Sequence, residues 1–243
     1  MTKVLATYNI KGGVGKTSAA VNLAYLAARD NHHVLLWDLD PQGASTFLFR
    51  VKPKVKGGGR RLVRGKSEAE PLIKGTDHER LDLLPADFSY RHMDLALDST
   101  KHPTRRLAKV LAPLADEYDY VFLDCPPSIS LVSESVFEAA DALLVPLVPA
   151  TLSSRTFDQL RRVVSENGDG PSVLAFFSMY DRRKRLHREV MDGLRDGVLQ
   201  AGIPAAADVE RMGVKRTAVT AFAPRSRAAQ AYEELWREVR ESL

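Results

Sequence analysis

Residues 9–17, with the sequence NIKGGVGKT, have the composition of a loop that binds phosphate groups. Its three glycines carry no Cβ atom, so the backbone N–H groups can turn toward an anion and approach it closely. Lys16 would place a positive charge at the β- and γ-phosphates of a nucleotide, and the hydroxyl of Thr17 would face Mg²⁺. Position 10 is isoleucine where the common pattern has glycine, and a lysine follows it. The loop therefore predicts a nucleotide site of an unusual kind. The expected contacts are Gly12, Gly13, Val14, Gly15, Lys16, Thr17 and Ser18.

Three aspartates follow apolar runs that are typical of strands. Asp38 and Asp40 end the run VLLWDLD, and Asp124 follows Val121–Leu123. Carboxylates at the ends of strands in a doubly wound sheet face the crevice where the ligands of such folds bind. An acid at the end of an apolar strand, as Asp124 is, can hold Mg²⁺ through a water molecule. Together with Thr17, this predicts a magnesium site beside the loop.

Short apolar runs alternate with helical patterns along the chain, which predicts an α/β fold. The runs do not alternate strictly in polarity, as expected for strands buried on both faces of a parallel sheet. We expect strands at Val4–Tyr8, Val34–Trp37, Leu81–Leu84, Tyr120–Leu123, Ala142–Leu147 and Val173–Phe177. We expect helices at about 17–29, 104–117, 131–140, 153–166, 186–201 and 226–242. This order predicts a doubly wound, mainly parallel sheet with helices on both faces.

The composition is that of one globular domain. The 243 residues are enough for a single sizeable α/β domain over 1–243, and the net charge of +4 permits an anionic partner. The segment at about 51–70 breaks the strand–helix pattern, because it holds three consecutive glycines and seven basic residues. We expect it to be a flexible basic insertion on the surface. The single cysteine, Cys125, excludes a multi-cysteine metal site within one chain, and we expect it to be a small packed residue.

No targeting or membrane segment is expected. The first residues, MTKVLATY, have the pattern of a strand and not of a signal peptide. No apolar run approaches the length that is needed to span a bilayer. These features predict a cytoplasmic protein.

Several motifs together resemble the ParA/MinD group of ATPases, whose phosphate loop is of the deviant Walker A type. The pattern K-G-G-x-G-K-[ST] matches residue for residue at 11–17, and the sequences DLDPQG at 38–43 and DCPP at 124–127 follow. Further matches at 179–183 and 225–232 extend the resemblance over nearly the whole chain, in the order of ParA-type partition ATPases. The resemblance implies a P-loop NTPase fold and an ATP hydrolase that uses ATP and Mg²⁺.

The resemblance also implies roles for individual residues. Lys11 is the signature lysine, which would cross a dimer interface and contact the ATP phosphates bound by the other subunit. Lys16 would act with it in catalysis, Asp40 would orient the attacking water, and Asp38 would lie nearer the Mg²⁺ shell. Positioning of water, more than strong base chemistry, is what phosphoryl transfer requires.

The adenine pocket is the part of the predicted site with the weakest match to the family. Ile203 and Pro204 occupy the place where related ATPases form part of that pocket. The arginine that usually follows is absent, and Ala205 takes its place.

Basic residues late in the chain indicate a nucleic-acid partner. Similarity to ParA-type proteins implies an ATP-dependent homodimer that binds DNA without sequence preference, is associated with the nucleoid, and is stimulated by an adaptor of ParB type or an equivalent protein. Neutralising phosphates requires only cations on one face, without base-reading geometry. A solvated, charge-balanced surface is the alternative for any one of these residues. The candidate DNA contacts are Arg182, Arg183, Lys184, Arg185, Arg188, Lys215 and Arg216.

Two other function classes share the nucleotide motifs. A MinD-like membrane ATPase would require an amphipathic membrane helix beyond the fold. The apolar face at Tyr232, Leu235, Trp236 and Val239 is instead expected to pack on the sheet, so membrane binding is disfavoured. A metabolic enzyme of the same superfamily is the second alternative. One cysteine cannot supply the paired ligands of an iron–sulfur reductase, but small-molecule ligases remain open.

Overall fold

The computed structural model describes residues 1–165 and 170–243 and shows one mainly parallel sheet. Six of its eight strands coincide, within three residues at either end, with the runs predicted from the sequence. The other two, β3 and β8, have only two residues each and leave no pattern to detect. The strands are β1 (Lys3–Thr7), β2 (Val34–Asp38), β3 (Lys74–Gly75), β4 (Leu81–Leu84), β5 (Tyr120–Asp124), β6 (Ala142–Leu147), β7 (Ser172–Tyr180) and β8 (Ile203–Pro204).

The strand order is β3-β4-β2-β5-β1-β6-β7-β8, and only β3 runs antiparallel to its neighbour. The strands β2 and β6 are buried along their whole length, as the unbroken apolar runs predicted. The strand β5 lies between β1 and β2 and is parallel to both, so the carboxyl ends of these three strands meet at one edge of the sheet. The predicted doubly wound fold is confirmed. Parallel strands of this order open a ligand crevice at that edge.

Helices cover both faces of the sheet. They are α1 (Lys16–Arg29), α2 (Ala44–Leu48), α3 (Gly58–Val63), α4 (Met93–Asp98), α5 (Arg106–Leu111), α6 (Leu131–Ala139), α7 (Ser153–Ser165), α8 (Arg185–Gly193), α9 (Ala207–Glu210), α10 (Met212–Lys215), α11 (Val219–Phe222) and α12 (Arg227–Glu241). Within the described ranges, none of these helices has the length and apolarity to cross a membrane.

Two predicted helices are shorter than expected. The helix expected at 104–117 is only α5, with 3-10 turns at Pro103–Arg105 and Ala112–Leu114 on either side. A proline lies in each turn, which favours a break in the regular helix. The helix expected at 186–201 ends at Gly193, and Leu199 instead donates a backbone hydrogen bond to Ala175 of β7. The last position of the helix expected at 153–166 lies outside the described residues.

The C-terminal helix packs as predicted. Along α12, Tyr232, Leu235, Trp236 and Val239 are each at most 2% exposed, and the helix lies against α1 on one face of the sheet. Burial of a continuous apolar stripe of this kind is the main source of helix stability in a globular domain.

The segment 51–70 differs from the predicted flexible surface insertion, because part of it is packed in the core. Its helix α3 places Leu62 and Val63 in the core, both 0% exposed, and Val55 is also buried. Gly59 lies so close to Tyr90 that an added Cβ would come within 2.2 Å of the ring. The glycine-rich stretch therefore serves close packing, and its basic residues surround a small apolar core.

Candidate active site

The loop between β1 and α1 is held in place by short polar contacts. The Asn9 side chain donates to the carbonyl of Pro146 at 2.9 Å and accepts from the Lys11 backbone N–H at 2.9 Å. Gly13 and Gly15 have positive φ angles of 70° and 98°, which side chains with a Cβ rarely adopt. A Cβ on Gly15 would also lie 2.7 Å from the Ser178 hydroxyl. The glycines are thus required by backbone conformation and by the contact with β7.

The loop has the donors and the open space that a phosphate group needs. Helix α1 begins at Lys16 without a side-chain cap, so its first N–H groups are available to an anion. A Cβ on Gly13 would meet no atom within 4 Å, so the outer face of the loop is open. Backbone donors, a helix N-terminus and a lysine together fit a polyphosphate.

The two lysines of the loop have opposite environments. Lys16 is 7% exposed, and its Nζ donates to the Lys11 carbonyl at 3.1 Å. Burial lowers the pKa of Lys16, while the carboxylates of Asp124 and Asp40 act in the opposite direction. The Lys11 side chain is exposed. One lysine therefore faces the interior of the site, and the other is accessible to a second molecule.

Two of the predicted acids lie side by side where the strands β2 and β5 end. Asp38 and Asp124 occupy paired positions on β2 and β5, and both are 0% exposed. Burial raises the pKa of both groups. The negative charge of Asp124 raises the pKa of Asp38 further, and the negative charge of Asp40 raises the pKa of Asp124. The side chain of Thr17 provides Asp124 with a hydrogen bond that favours its ionised form. A hard divalent cation would relieve the repulsion between these carboxylates, which fits the predicted magnesium site.

Two hydroxyl residues that the sequence analysis missed orient these acids. The Ser45 hydroxyl donates to Asp124 Oδ2 at 2.6 Å. The Thr46 backbone N–H and hydroxyl donate to Asp38 Oδ2 at 2.8 and 2.7 Å. Both residues lie at the start of α2, directly after the DLDPQG turn. A Ser-Thr pair at that place was the available signal, although only the turn shows that it folds back onto the acids.

Asp40 lies at the mouth of this cluster. It is half-buried, and its Oδ1 accepts from the Gln42 backbone N–H at 2.9 Å. Its backbone N–H donates to Asp38 Oδ1 at 3.2 Å, which attaches it to the pair of buried acids. Its charge also acts on the pKa of Lys16 and of Asp124. The geometry thus brings together five predicted residues, namely Lys16, Thr17, Asp38, Asp40 and Asp124.

The predicted adenine contacts lie on a strand that reaches the phosphate loop only through a neighbouring residue. Ile203 and Pro204 form β8, and both are buried. Ile203 pairs with Ser178, the residue that contacts Gly15, and its side chain belongs to the core. The strand adjoins the loop, but the side chain of Ile203 offers little free surface to a base.

Comparison with known proteins places this site in a family. A profile for the AAA domain matches residues 2–169. The sporulation initiation inhibitor protein Soj of Bacillus subtilis is 30% identical over 98% of this chain and 98% of its own length. The chromosome partitioning protein ParA of Caulobacter vibrioides is 32% identical over 98% of this chain and 93% of its own length. The chain belongs to the ParA/MinD family of P-loop ATPases.

A solved structure supports the fold of this ParA/MinD-type ATPase. It is a cobyrinic acid a,c-diamide synthase from Mycobacterium smegmatis with bound ATP analogue and magnesium. Its sequence is 29% identical to this chain, and the two structures superpose with a TM-score of 0.85 over 98% of this chain and 94% of that one.

The candidate DNA contacts of the ATPase lie in two places. The first basic cluster surrounds the start of α8, and its cations are partly engaged within the chain. Arg183 donates twice to Asp181, at 3.0 and 2.9 Å, and Arg185 pairs with Glu189 at 2.6 Å. All of these contacts are exposed, so they are weak and open to exchange. The cluster consists of Arg182, Arg183, Lys184, Arg185 and Arg188.

The second basic cluster, Lys215 and Arg216, lies at the end of α10. Arg216 Nε donates to the Phe47 carbonyl at 3.0 Å, and its guanidinium lies 4.5 Å from the centroid of the Phe47 ring. Arg50 donates to the Lys215 carbonyl at 3.0 Å. Arg216 is therefore fixed against α2, whereas the Lys215 side chain is exposed.

Proposed function

We propose that this ParA/MinD-type ATPase is a partition ATPase. It dimerises on binding ATP, binds DNA without sequence preference, and positions a chromosome, plasmid or other assembly with the help of a stimulating partner of ParB type. The observation that carries the proposal is the exposed Lys11 on a loop whose second lysine, Lys16, is buried. Similarity to the ParA and Soj proteins over nearly the whole chain supports it.

The buried part of the site is suited to ATP and magnesium. Lys16 and the first N–H groups of α1 would hold the β- and γ-phosphates, and Thr17, Asp38 and Asp124 would hold Mg²⁺ directly or through water. Bound magnesium would neutralise charge on the transferred phosphoryl group. Asp40, half-buried at the mouth of the cluster, would orient the attacking water.

The exposed part of the site connects nucleotide binding with association. The Lys11 backbone is fixed at both ends, by Asn9 at its N–H and by Lys16 at its carbonyl. Its side chain is free to reach an acceptor on another molecule. A cation supplied in trans to the phosphates of a second subunit would make the dimer depend on ATP. It would also stabilise the charge of the transition state, as arginine fingers do in other phosphoryl-transfer enzymes.

Replacing each lysine separately tests whether Lys16 serves ATP binding and Lys11 serves dimerisation. Lys16→Ala should weaken ATP binding by about 1.5–3 kcal/mol or more, roughly ten- to a hundredfold in Kd, because a buried charge-assisted contact is lost. Lys11→Ala should retain ATP binding, yet remain monomeric in ATP and lose hydrolysis. Calorimetry would report binding, and light scattering would report the dimer.

Lys101→Ala removes an exposed lysine elsewhere and serves as the matched control, with wild-type behaviour expected in both measurements. Dimerisation of Lys11→Ala in ATP at the wild-type concentration would refute the role in trans.

A small-molecule ligase is the second candidate, because a 29% identical structure is that of a diamide synthase. The two candidates differ in their dependence on DNA. A partition ATPase should retain DNA in the presence of ATP, whereas a ligase has no need to do so. Lack of DNA binding in any nucleotide state would favour the ligase.

A further inference from the structure

A large cavity lies apart from the candidate active site. It has a volume of about 740 Å³ and lies between the segment 56–72 and the helical segment 106–114. None of the phosphate-loop residues or the three site aspartates lines it. Volumes of about 300–1,000 Å³ are typical of sites for small molecules.

The floor of the cavity is apolar. It is formed by Leu62, Leu72, Val110 and Leu114, which are each at most 9% exposed. These side chains belong to the main core, so the floor is fixed by packing on both sides. An apolar group of a ligand would be removed from water there, which favours binding.

The rim of the cavity is predominantly cationic. Five basic side chains line it against two carboxylates, those of Glu68 and Glu70. In the described part of the chain, none of the five forms an ion pair with a carboxylate. The basic residues are Lys56, Arg61, Lys66, Arg106 and Lys109.

Two of these cations are already oriented by the backbone. Arg106 Nε donates to the Val63 carbonyl at 2.5 Å, and Arg61 Nη2 donates to the Lys66 carbonyl at 3.2 Å. A guanidinium has five N–H donors, so each of these contacts leaves others for a ligand. Close packing also fixes the rim, since a Cβ on Gly65 would lie 2.8 Å from Arg106 Nη2.

From the apolar floor and from the cations that pair with no carboxylate in the described part of the chain, we propose that this cavity binds a small organic anion. Its ligand has an apolar body, such as a ring system, and one or more phosphate, sulfonate or carboxylate groups. A purely apolar ligand would leave the cations unused, and an inorganic anion would leave the floor uncovered.

A pair of fluorescent probes tests both parts of the proposal. The anionic probe is 8-anilino-1-naphthalenesulfonate, and the neutral probe is N-phenyl-1-naphthylamine, which has the same rings without the sulfonate. Titrations are made with saturating Mg²⁺ and ADP, so that the nucleotide site does not contribute. We expect saturable binding of the anionic probe, and weaker binding of the neutral one.

Three variants locate the binding. Lys66→Glu/Lys109→Glu reverses two exposed rim charges and should weaken the anionic probe by about tenfold or more while changing the neutral probe little. The control Lys101→Glu/Arg237→Glu makes the same change of net charge at exposed positions outside the cavity and should leave both probes unchanged. Val110→Trp fills the floor and should reduce binding of both probes, with circular dichroism confirming that it is folded.

The proposal is overturned if the rim variant and its control bind the anionic probe equally. It is also overturned if the neutral probe binds wild type as tightly as the anionic one. Since the rim variant changes only exposed side chains, this comparison stands even if Val110→Trp does not fold.

Discussion

Burial separates two lysines that lie only five positions apart in the phosphate loop. The glycines between them allow the backbone to turn so that Lys16 points into the site while Lys11 stays exposed. A charged group that is 7% exposed requires a strong counter-charge, and the neighbouring aspartates supply only part of it. A bound polyphosphate would supply the rest of the negative charge that Lys16 requires.

Asp40 can be tested independently of nucleotide binding. If Asp40 orients the attacking water, as we propose, Asp40→Ala should retain ATP binding and accumulate as the ATP-bound dimer, because no contact with the phosphates is lost. Hydrolysis should fall by about a hundredfold or more, the usual contribution of a group that positions or deprotonates the nucleophile. Phosphate release and light scattering would measure the two effects.

Asp40→Asn is the matched control for the shape of the turn. Its amide oxygen can still accept from the Gln42 backbone N–H, as Asp40 Oδ1 does at 2.9 Å. We expect it to lose hydrolysis like Asp40→Ala. Near-normal hydrolysis in Asp40→Asn would mean that the hydrogen bond of the turn, not the charge, is what matters.

At the scale of elements, sequence patterns predicted the strands that have regular apolar runs. They missed the features that depend on contacts between residues far apart in the sequence. The long buried strands β2 and β6 are found because an unbroken apolar run has few other uses. The active-site acids follow from their places at strand ends. Ser45 and Thr46 could not be assigned, because their hydroxyls reach the acids only once α2 folds back over the sheet edge.

The segment 51–70 shows why composition alone misled. Three consecutive glycines normally indicate flexibility, but here the third of them, Gly59, allows α3 to approach Tyr90 closely. Only a few apolar residues anchor the segment, and Leu62 and Val63 are the two residues of the six-residue helix α3 with no exposed surface. So few buried apolar residues produce no recognisable helical or strand period in a basic sequence.

Leu62→Ala tests the packing of this segment. We expect it to lower the free energy of unfolding by about 2–5 kcal/mol, because a fully buried leucine leaves a cavity when truncated. The control Arg60→Ala changes an exposed residue on the same helix and should stay within about 0.5 kcal/mol of wild type. Urea denaturation measures both. Equal stability of the two variants would restore the view of a flexible surface insertion.

At the scale of the whole molecule, charge is distributed unevenly, although the net charge is only +4. The first basic cluster is exposed, and its internal ion pairs lie in solvent. Ion pairs between solvent-exposed side chains contribute little to stability, so a DNA phosphate can replace their carboxylates at little cost. One subunit nevertheless presents few phosphate contacts, which predicts weak binding at physiological salt.

ATP should therefore switch DNA binding on by bringing two such clusters together. Doubling the number of contacts raises electrostatic affinity steeply, and the logarithm of the affinity should fall linearly with the logarithm of the salt concentration. Sequence should matter little, because neutralising phosphates does not read base edges. Anisotropy titrations should show firm binding with ATP and with the ATP-bound Asp40→Ala protein, and weak binding with ADP.

Charge reversal distinguishes the cluster from the general basicity of the surface. Arg182→Glu/Arg183→Glu/Arg185→Glu should abolish DNA binding and spare ATP binding and dimerisation, since these side chains are exposed and do not belong to the phosphate loop or to the cluster of site aspartates. Lys74→Glu/Lys101→Glu/Arg237→Glu makes the same change in net charge at exposed sites elsewhere, and should retain most of the affinity. If both triple variants lose binding equally, net charge and not the cluster attracts DNA. If wild type binds equally in ADP and ATP, dimerisation does not gate binding, and the ligase becomes the better candidate.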